Sequence, residues 1–148
     1  MPAIGTVSVA AYDEAFKLFL GSGTWKTLLL NNAYTPSPGT HLRRSHISTW
    51  EVTGTNCPVG GVTISTNPFT FSIDTTGKAI VTIAAISLPN ITVTGVRHLY
   101  LYKSLGAPAD DILIRLYTFA GVENRTAASL DITSGTWTTT IPAYSFSV

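Results

Sequence analysis

From Phe69 onward the sequence is cut into short runs in which apolar and polar residues alternate, and that period of two restricts most of the chain to β-structure. In Phe69–Asp74 the residues Phe69, Phe71 and Ile73 fall on one side, with Thr70, Ser72 and Asp74 on the other. Thr75-Thr76-Gly77 then forms a short glycine-ending loop, as in a β-hairpin. The run that follows, Lys78–Ile86, is apolar on both faces, so it is expected to be central in its sheet or covered by another subunit. Further strands are predicted over Ile91–Thr94, Arg97–Lys103, Ile112–Phe119, Ala128–Ile132 and Thr136–Ile141, with Ser134-Gly135 turning between the last two. The tail alternates again at Tyr144, Phe146 and Val148.

Upstream, Lys26–Leu30 reads as a strand and Met1–Ala10 as an arm or edge strand. The single predicted helix is Tyr12–Leu20. Tyr12, Phe16 and Phe19 share one face, Asp13 and Glu14 sit in the first turn, and Gly21 is placed as the C′ stop. Eight or so strands without βαβ alternation predict an all-β antiparallel sandwich, jelly-roll-like, with one short N-terminal helix. At 148 residues, with no internal repeat or linker, one domain over residues 1–148 is expected.

Residues Glu51 to Ile64 supply the strongest local signature. Glu51, Gly54, Pro58, Gly60 and Gly61 read as a structural turn that delivers the chain into Val62-Thr63-Ile64, since glycine admits positive φ and proline fixes its own. A phosphate-binding loop would need Lys-Ser/Thr after the glycines and a following helix, and neither is present. Ahead of this turn lies Ala33–Thr49, a long polar connection carrying Tyr34, His41, Arg43-Arg44 and His46, of a length that is usually functional or interface-forming.

Charged residues are only 11% of the chain, against about 25% in typical soluble domains. So little charge leaves exposed faces weakly protected, and the economical expectation is that partners cover them. Net charge is +1, which gives no broad electrostatic case for nucleic acid or an anionic membrane. Cys57 stands alone, so no internal disulfide is expected, and no signal peptide or membrane span is recognised. His41 and His46 lack a nearby cysteine or carboxylate, so no metal is assigned. Asp110-Asp111 and Arg43-Arg44 read as solvated loop residues, and neither Cys57 nor Ser45-His46 has the setting of a nucleophile. No catalytic residue and no cofactor is assigned, and no enzymatic activity is expected.

Tyr34-Thr35-Pro36-Ser37-Pro38-Gly39-Thr40-His41 and Glu51-Val52-Thr53-Gly54-Thr55-Asn56-Cys57-Pro58-Val59-Gly60-Gly61 resemble the patterns Y-T-P-x-x-x-T-H and E-V-x-G-x-x-Y-x-x-G-G of a family of small virion structural proteins of tailed bacteriophages. Two departures stand out: Cys57 replaces an aromatic residue, and the strand near Ala84–Ile86 lacks an aspartate-tryptophan pair. The resemblance implies a non-enzymatic capsid decoration (cement) protein on the virion surface, made in the host cytoplasm. It would bind the major capsid protein and itself as a homo-oligomer, a trimer by analogy with local three-folds. The alternative is a tail- or fibre-associated module that contacts a host glycan through Trp25, Trp50, Trp137 and the tyrosines.

Overall fold

The computed structural model describes residues 18, 19, 21–64, 67–76, 78–118, 130–139 and 144–147. Among the described residues eight strands carry the fold: β1 (Thr24–Asn31), β2 (Val62–Ile64), β3 (Phe69–Ile73), β4 (Lys78–Ile83), β5 (Ile86–Ser104), β6 (Ile112–Thr118), β7 (Leu130–Thr139) and β8 (Tyr144–Ser147). Every strand pairing among them is antiparallel. The all-β class therefore holds, and no helix of seven or more residues occurs among the described residues.

The helix expected over Tyr12–Leu20 lies largely outside those residues. Leu18, Phe19 and Gly21 alone are described there, in helical conformation, and the Ser22 hydroxyl donates to the Leu18 carbonyl. Gly21 is not the left-handed stop; positive φ falls two residues later, at Gly23. The predicted arm Met1–Ala10 lies outside the described residues altogether.

One sheet has five strands, in the order β2-β1-β5-β6, with β7 also on β5. The other has three, β3-β4-β8. The long strand β5 organises the first. Val96 pairs with Asn31 of β1 and with Leu130 of β7, and residues from His98 to Lys103 pair with both β1 and β6. So β1 occupies one edge of β5, while β6 and then β7 run along the other.

Sequence alternation divided β5 into separate strands at residues 91–94 and 97–103, and extended the preceding one to Ile86. The structure corrects this: β4 ends at Ile83, and Ile86 opens the 19-residue strand β5. Its core-facing residues are Ile86, Leu88, Ile91, Val93, Val96, Leu99 and Leu101. Steps of two are interrupted by three steps of three, and each step of three coincides with a register shift against β7 or β1. A bulge inserts one residue and bends the strand, so the apolar side chains stay on one face although their period slips. Pro89, which cannot donate to a ladder, and Asn90, at φ 51, sit in the first irregularity. Ser134-Gly135, predicted as a turn, instead lies within β7, where Gly135 pairs with Ile91 across a register shift.

The β3–β4 hairpin forms as expected. The Asp74 side chain caps its turn, accepting from the Thr76 and Lys78 backbone N–H groups (2.9 Å each) and the Thr76 hydroxyl (2.6 Å). Between the two expectations for the 78–86 run, the central position is the one found, since β4 lies between β3 and β8. Val81 and Ile83 are buried within the chain itself, beside Trp25 and Leu29 of β1 respectively.

Candidate functional site

Both sequence motifs lie on one connection, residues 33–61, which folds against β1, β5 and β6. Glu51 bridges Leu30 at the end of β1, and the next residue, Val52, donates to the Leu29 carbonyl (2.8 Å). Gly54 and Cys57 then exchange backbone hydrogen bonds of 2.9 and 3.1 Å, closing a two-residue turn with Asn56 at φ 56. Its tip is fixed to β5 by a reciprocal Thr55–Thr92 pair and by the Asn56 side chain on the Asn90 carbonyl (2.9 Å). A Cβ on Gly54 would lie 2.0 Å from the Thr92 carbonyl oxygen, so only glycine fits there.

Pro58 opens a second turn, closed by the Gly61 N–H on the Pro58 carbonyl (2.9 Å), with Gly60 at φ 89 and Gly61 at φ 77. Positive φ at the third position is the requirement of a type II turn. At Gly61 a Cβ would stand 1.9 Å from the Thr27 carbonyl oxygen, and this close approach is what seats β2 against β1. The glutamate of the signature belongs with its glycines, because the Gly60 N–H donates to the Glu51 carboxylate (2.6 Å). Burial pushes the Glu51 carboxyl above its ordinary range, against the pull of the Gly60 N–H, the Arg44 guanidinium and the Gly61 N–H. The Tyr102 hydroxyl donates to the Gly60 carbonyl from the sheet below, and its pKa is pushed up to about 12, chiefly by burial. All five signature residues thus belong to the turn architecture. Cys57 is core, and burial raises its thiol pKa.

The Tyr34–His41 motif closes on itself. Thr40 and His41 both donate backbone N–H groups to the Ser37 carbonyl (3.0 and 2.7 Å), which reverses the chain and returns His41 to Tyr34. Tyr34 Oη lies 3.1 Å from His41 Nδ1 and 3.4 Å from Tyr100 Oη, so three side chains form one hydrogen-bonded chain. Around Tyr34 pack the rings of His41, Trp50, His98 and Tyr100. Burial, then the hydrogen bond with Tyr34, raises the Tyr100 pKa.

Asp110 is exposed, as expected of a solvated loop residue, but the same expectation is corrected for Asp111 and Arg44. Arg44 Nε donates to Asp111 Oδ2 (2.7 Å), Asp111 is 1% exposed, and its other oxygen accepts from the Leu105 N–H (2.7 Å). Arg43 donates to the Asp110 carbonyl (2.7 Å). The basic and acidic pairs therefore join the 33–61 connection to the 105–111 loop. Neither reading of the pairs alone revealed this, because their partnership spans 67 residues of sequence.

His41 and His46 do not converge on a common ligand. His46 Nδ1 accepts from the Leu42 and Arg43 N–H groups (3.2 and 3.4 Å), while His41 Nδ1 faces Tyr34. No group of three metal-binding side chains occurs among the described residues. Trp25 and Trp50 do not converge either. Trp25 is core, packed on Phe69 and Val81, whereas Trp50 packs with Tyr34 on the opposite face of the first sheet. The Trp137 side chain lies outside the described residues.

The described residues also form surface clefts, two of which are large enough to hold a small ligand. One, of about 420 Å³, is lined by Val62, Ile64, Pro68, Ile86 and Pro89 among others and contains no titratable residue. The second, of about 320 Å³, lies between residues 36–42 and β6; Pro36, Pro38, His41, Tyr100, Leu113 and Arg115 contribute to its walls. Among the described residues no helix is long and apolar enough to cross a membrane. No family model, curated protein or solved structure matches the chain.

Proposed function

We propose that the chain is a structural protein of a tailed-bacteriophage virion, a capsid decoration protein that binds and stabilises the shell of major capsid protein. In this reading its two sheets form a single jelly-roll-like sandwich, and the protein acts as a homo-oligomer, a trimer by analogy with local three-folds. The observation that carries the reading is the use made of the motif residues. Tyr34, His41, Glu51, Gly54, Pro58, Gly60 and Gly61 fix one long connection onto a sheet face, a rigid binding scaffold rather than a set of reacting groups. Low charge adds to it, since a chain with only 11% charged residues has little repulsion to keep partners apart. The face of the 78–86 run that carries Val81 and Ile83 no longer contributes, because both are covered within the chain.

Binding of this kind stabilises a shell by mass action without chemistry. The test adds the purified protein, after measurement of its solution mass, to shells lacking it and follows their thermal rupture. Bound protein should raise the rupture temperature. A monomer that neither binds nor protects would end the shell reading. The second reading, a tail- or fibre-associated module that contacts a host glycan, is favoured by the cleft beside His41. Copy number in purified virions separates the two, because hundreds per particle fit a shell component and a few tens fit a tail part.

A further inference from the structure

We propose that the cleft between residues 36–42 and β6 binds a hydroxyl-rich ring, a saccharide residue, through the hydrogen-bonded chain His41–Tyr34–Tyr100. The volume, about 320 Å³, suits one small ring and lies at the lower end of ligand-site sizes. Pro36, Pro38 and Leu113 supply apolar wall, on which the C–H face of a sugar ring can lie.

The polar part is more selective. Tyr34 Oη sits in the middle of the chain, bonded to His41 Nδ1 on one side and Tyr100 Oη on the other. A hydroxyl has one proton to give, so the chain must run in one direction or the other. If Tyr100 donates to Tyr34 and Tyr34 to His41, the imidazole carries its proton on Nε2 and Tyr100 keeps a free lone pair. If the protons run the other way, Tyr100 offers the donor and His41 Nε2 the acceptor. In both cases one end supplies a donor and the other an acceptor, and both end residues line the cleft. A pair of ring hydroxyls matches that combination, because each hydroxyl both gives and accepts. An apolar ligand would bury both ends without partners, which is disfavoured.

The inference rests on the glycan-contacting reading of this same cleft, and its test needs no particle, so it fails or stands apart from the shell-rupture test. The full chain is titrated with methyl α-glucoside, methyl β-galactoside, methyl α-rhamnoside and N-acetylglucosamine, with amide NMR shifts of Leu42, Leu113 and Arg115 as the readout. Cyclohexanol, a ring of similar size with a single hydroxyl, is the control. At least one glycoside should shift these amides saturably in the millimolar range while cyclohexanol does not. His41→Phe and Tyr100→Phe keep the rings but remove one end of the chain each. Either should weaken the glycoside about tenfold, the scale of one or two lost hydrogen bonds. Silence with all four sugars overturns the proposal. So does equal response to cyclohexanol, which needs no variant to fold. Undiminished binding by both folded variants would overturn the role of the chain.

Discussion

The two faces of β5 are closed in different ways. On one side Leu99 and Leu101 join an apolar cluster with Leu29, Ile83, Val93 and Val96, contributed mainly by strands β1, β4 and β5, to which the 33–61 connection adds only the apolar Cys57 and, half-buried, Val52. On the other, Tyr100 and Tyr102 join Leu28, Leu30, Tyr34 and Ile47, beneath the 33–61 connection. A strand closing a face brings backbone groups already paired in its own sheet, so aliphatic side chains suffice. A loop brings carbonyls and N–H groups that need partners, and here tyrosine hydroxyls and charged side chains supply them. Tyr102 serves Gly60, and Asp111 serves Leu105 and Arg44. The difference teaches that a face closed by a loop depends on a few positioned hydrogen bonds and obligatory glycines, whereas a strand-closed face depends on packed volume.

The sharpest way to break that comparison is at Gly61. Its φ of 77 and the 1.9 Å approach of a built Cβ to the Thr27 carbonyl oxygen leave valine no accommodation without moving β2 off β1. Gly61→Val should cost about 4 kcal/mol, in the tail of single-substitution effects, measured by urea unfolding. A variant as stable as the parent would remove the claim that the turn seats β2.

Next in size is the strand-closed face. Leu99 is fully buried, and Leu99→Ala should cost about 3 kcal/mol through lost transfer energy and the cavity left behind. On the loop-closed face, Tyr102→Phe removes no volume but leaves the Gly60 carbonyl without its donor, and should cost about 1.5 kcal/mol. If Tyr102→Phe proves as costly as Leu99→Ala, hydroxyl bonding contributes as much as packed volume and the contrast needs restating.

How much of this was legible in the sequence follows the same division. Strands β2, β3 and β6 were readable to within a residue at each end; β2 and β3 keep one phase of alternation, while β6 is a short apolar run that stays recognisable although its register against β5 shifts at Ile114. β5 was not readable as one strand, since bulges at Pro89-Asn90 and before Val96 shift its phase. The turn signature was legible as backbone geometry, from its glycines and proline. Its chemistry was not: nothing local says that the Glu51 carboxylate holds Gly60, or that Arg44 finds Asp111 far along the chain. Contacts of that kind depend on which strand ends meet, and periodicity carries no information about them.

The smallest effect concerns His98, which lies on the loop-closed face at 5% exposure, with Nδ1 2.8 Å from the Thr118 hydroxyl and the Tyr34 ring edge-on. Burial lowers its pKa below the ordinary 6.5, the Arg97 charge adds to this, and a hydrogen bond to the Tyr34 backbone opposes it. The unfolded chain therefore takes up this proton at higher pH than the folded one. The stability that the neutral ring contributes is complete above about 6.5 and is lost as pH falls towards and through the folded value. Glu51 carries the opposite sign, because its raised pKa makes acidification favour the fold, from a reference of 4.5 rather than 6.5. Urea unfolding of the parent and of His98→Gln at stepped pH isolates the histidine. The parent should lose stability on acidification that the variant keeps, with the gap opening just below neutrality. Parallel profiles for the two proteins would show that the loop-closed face holds His98 without preferring its neutral form, and would remove titration from the contrast between the two faces.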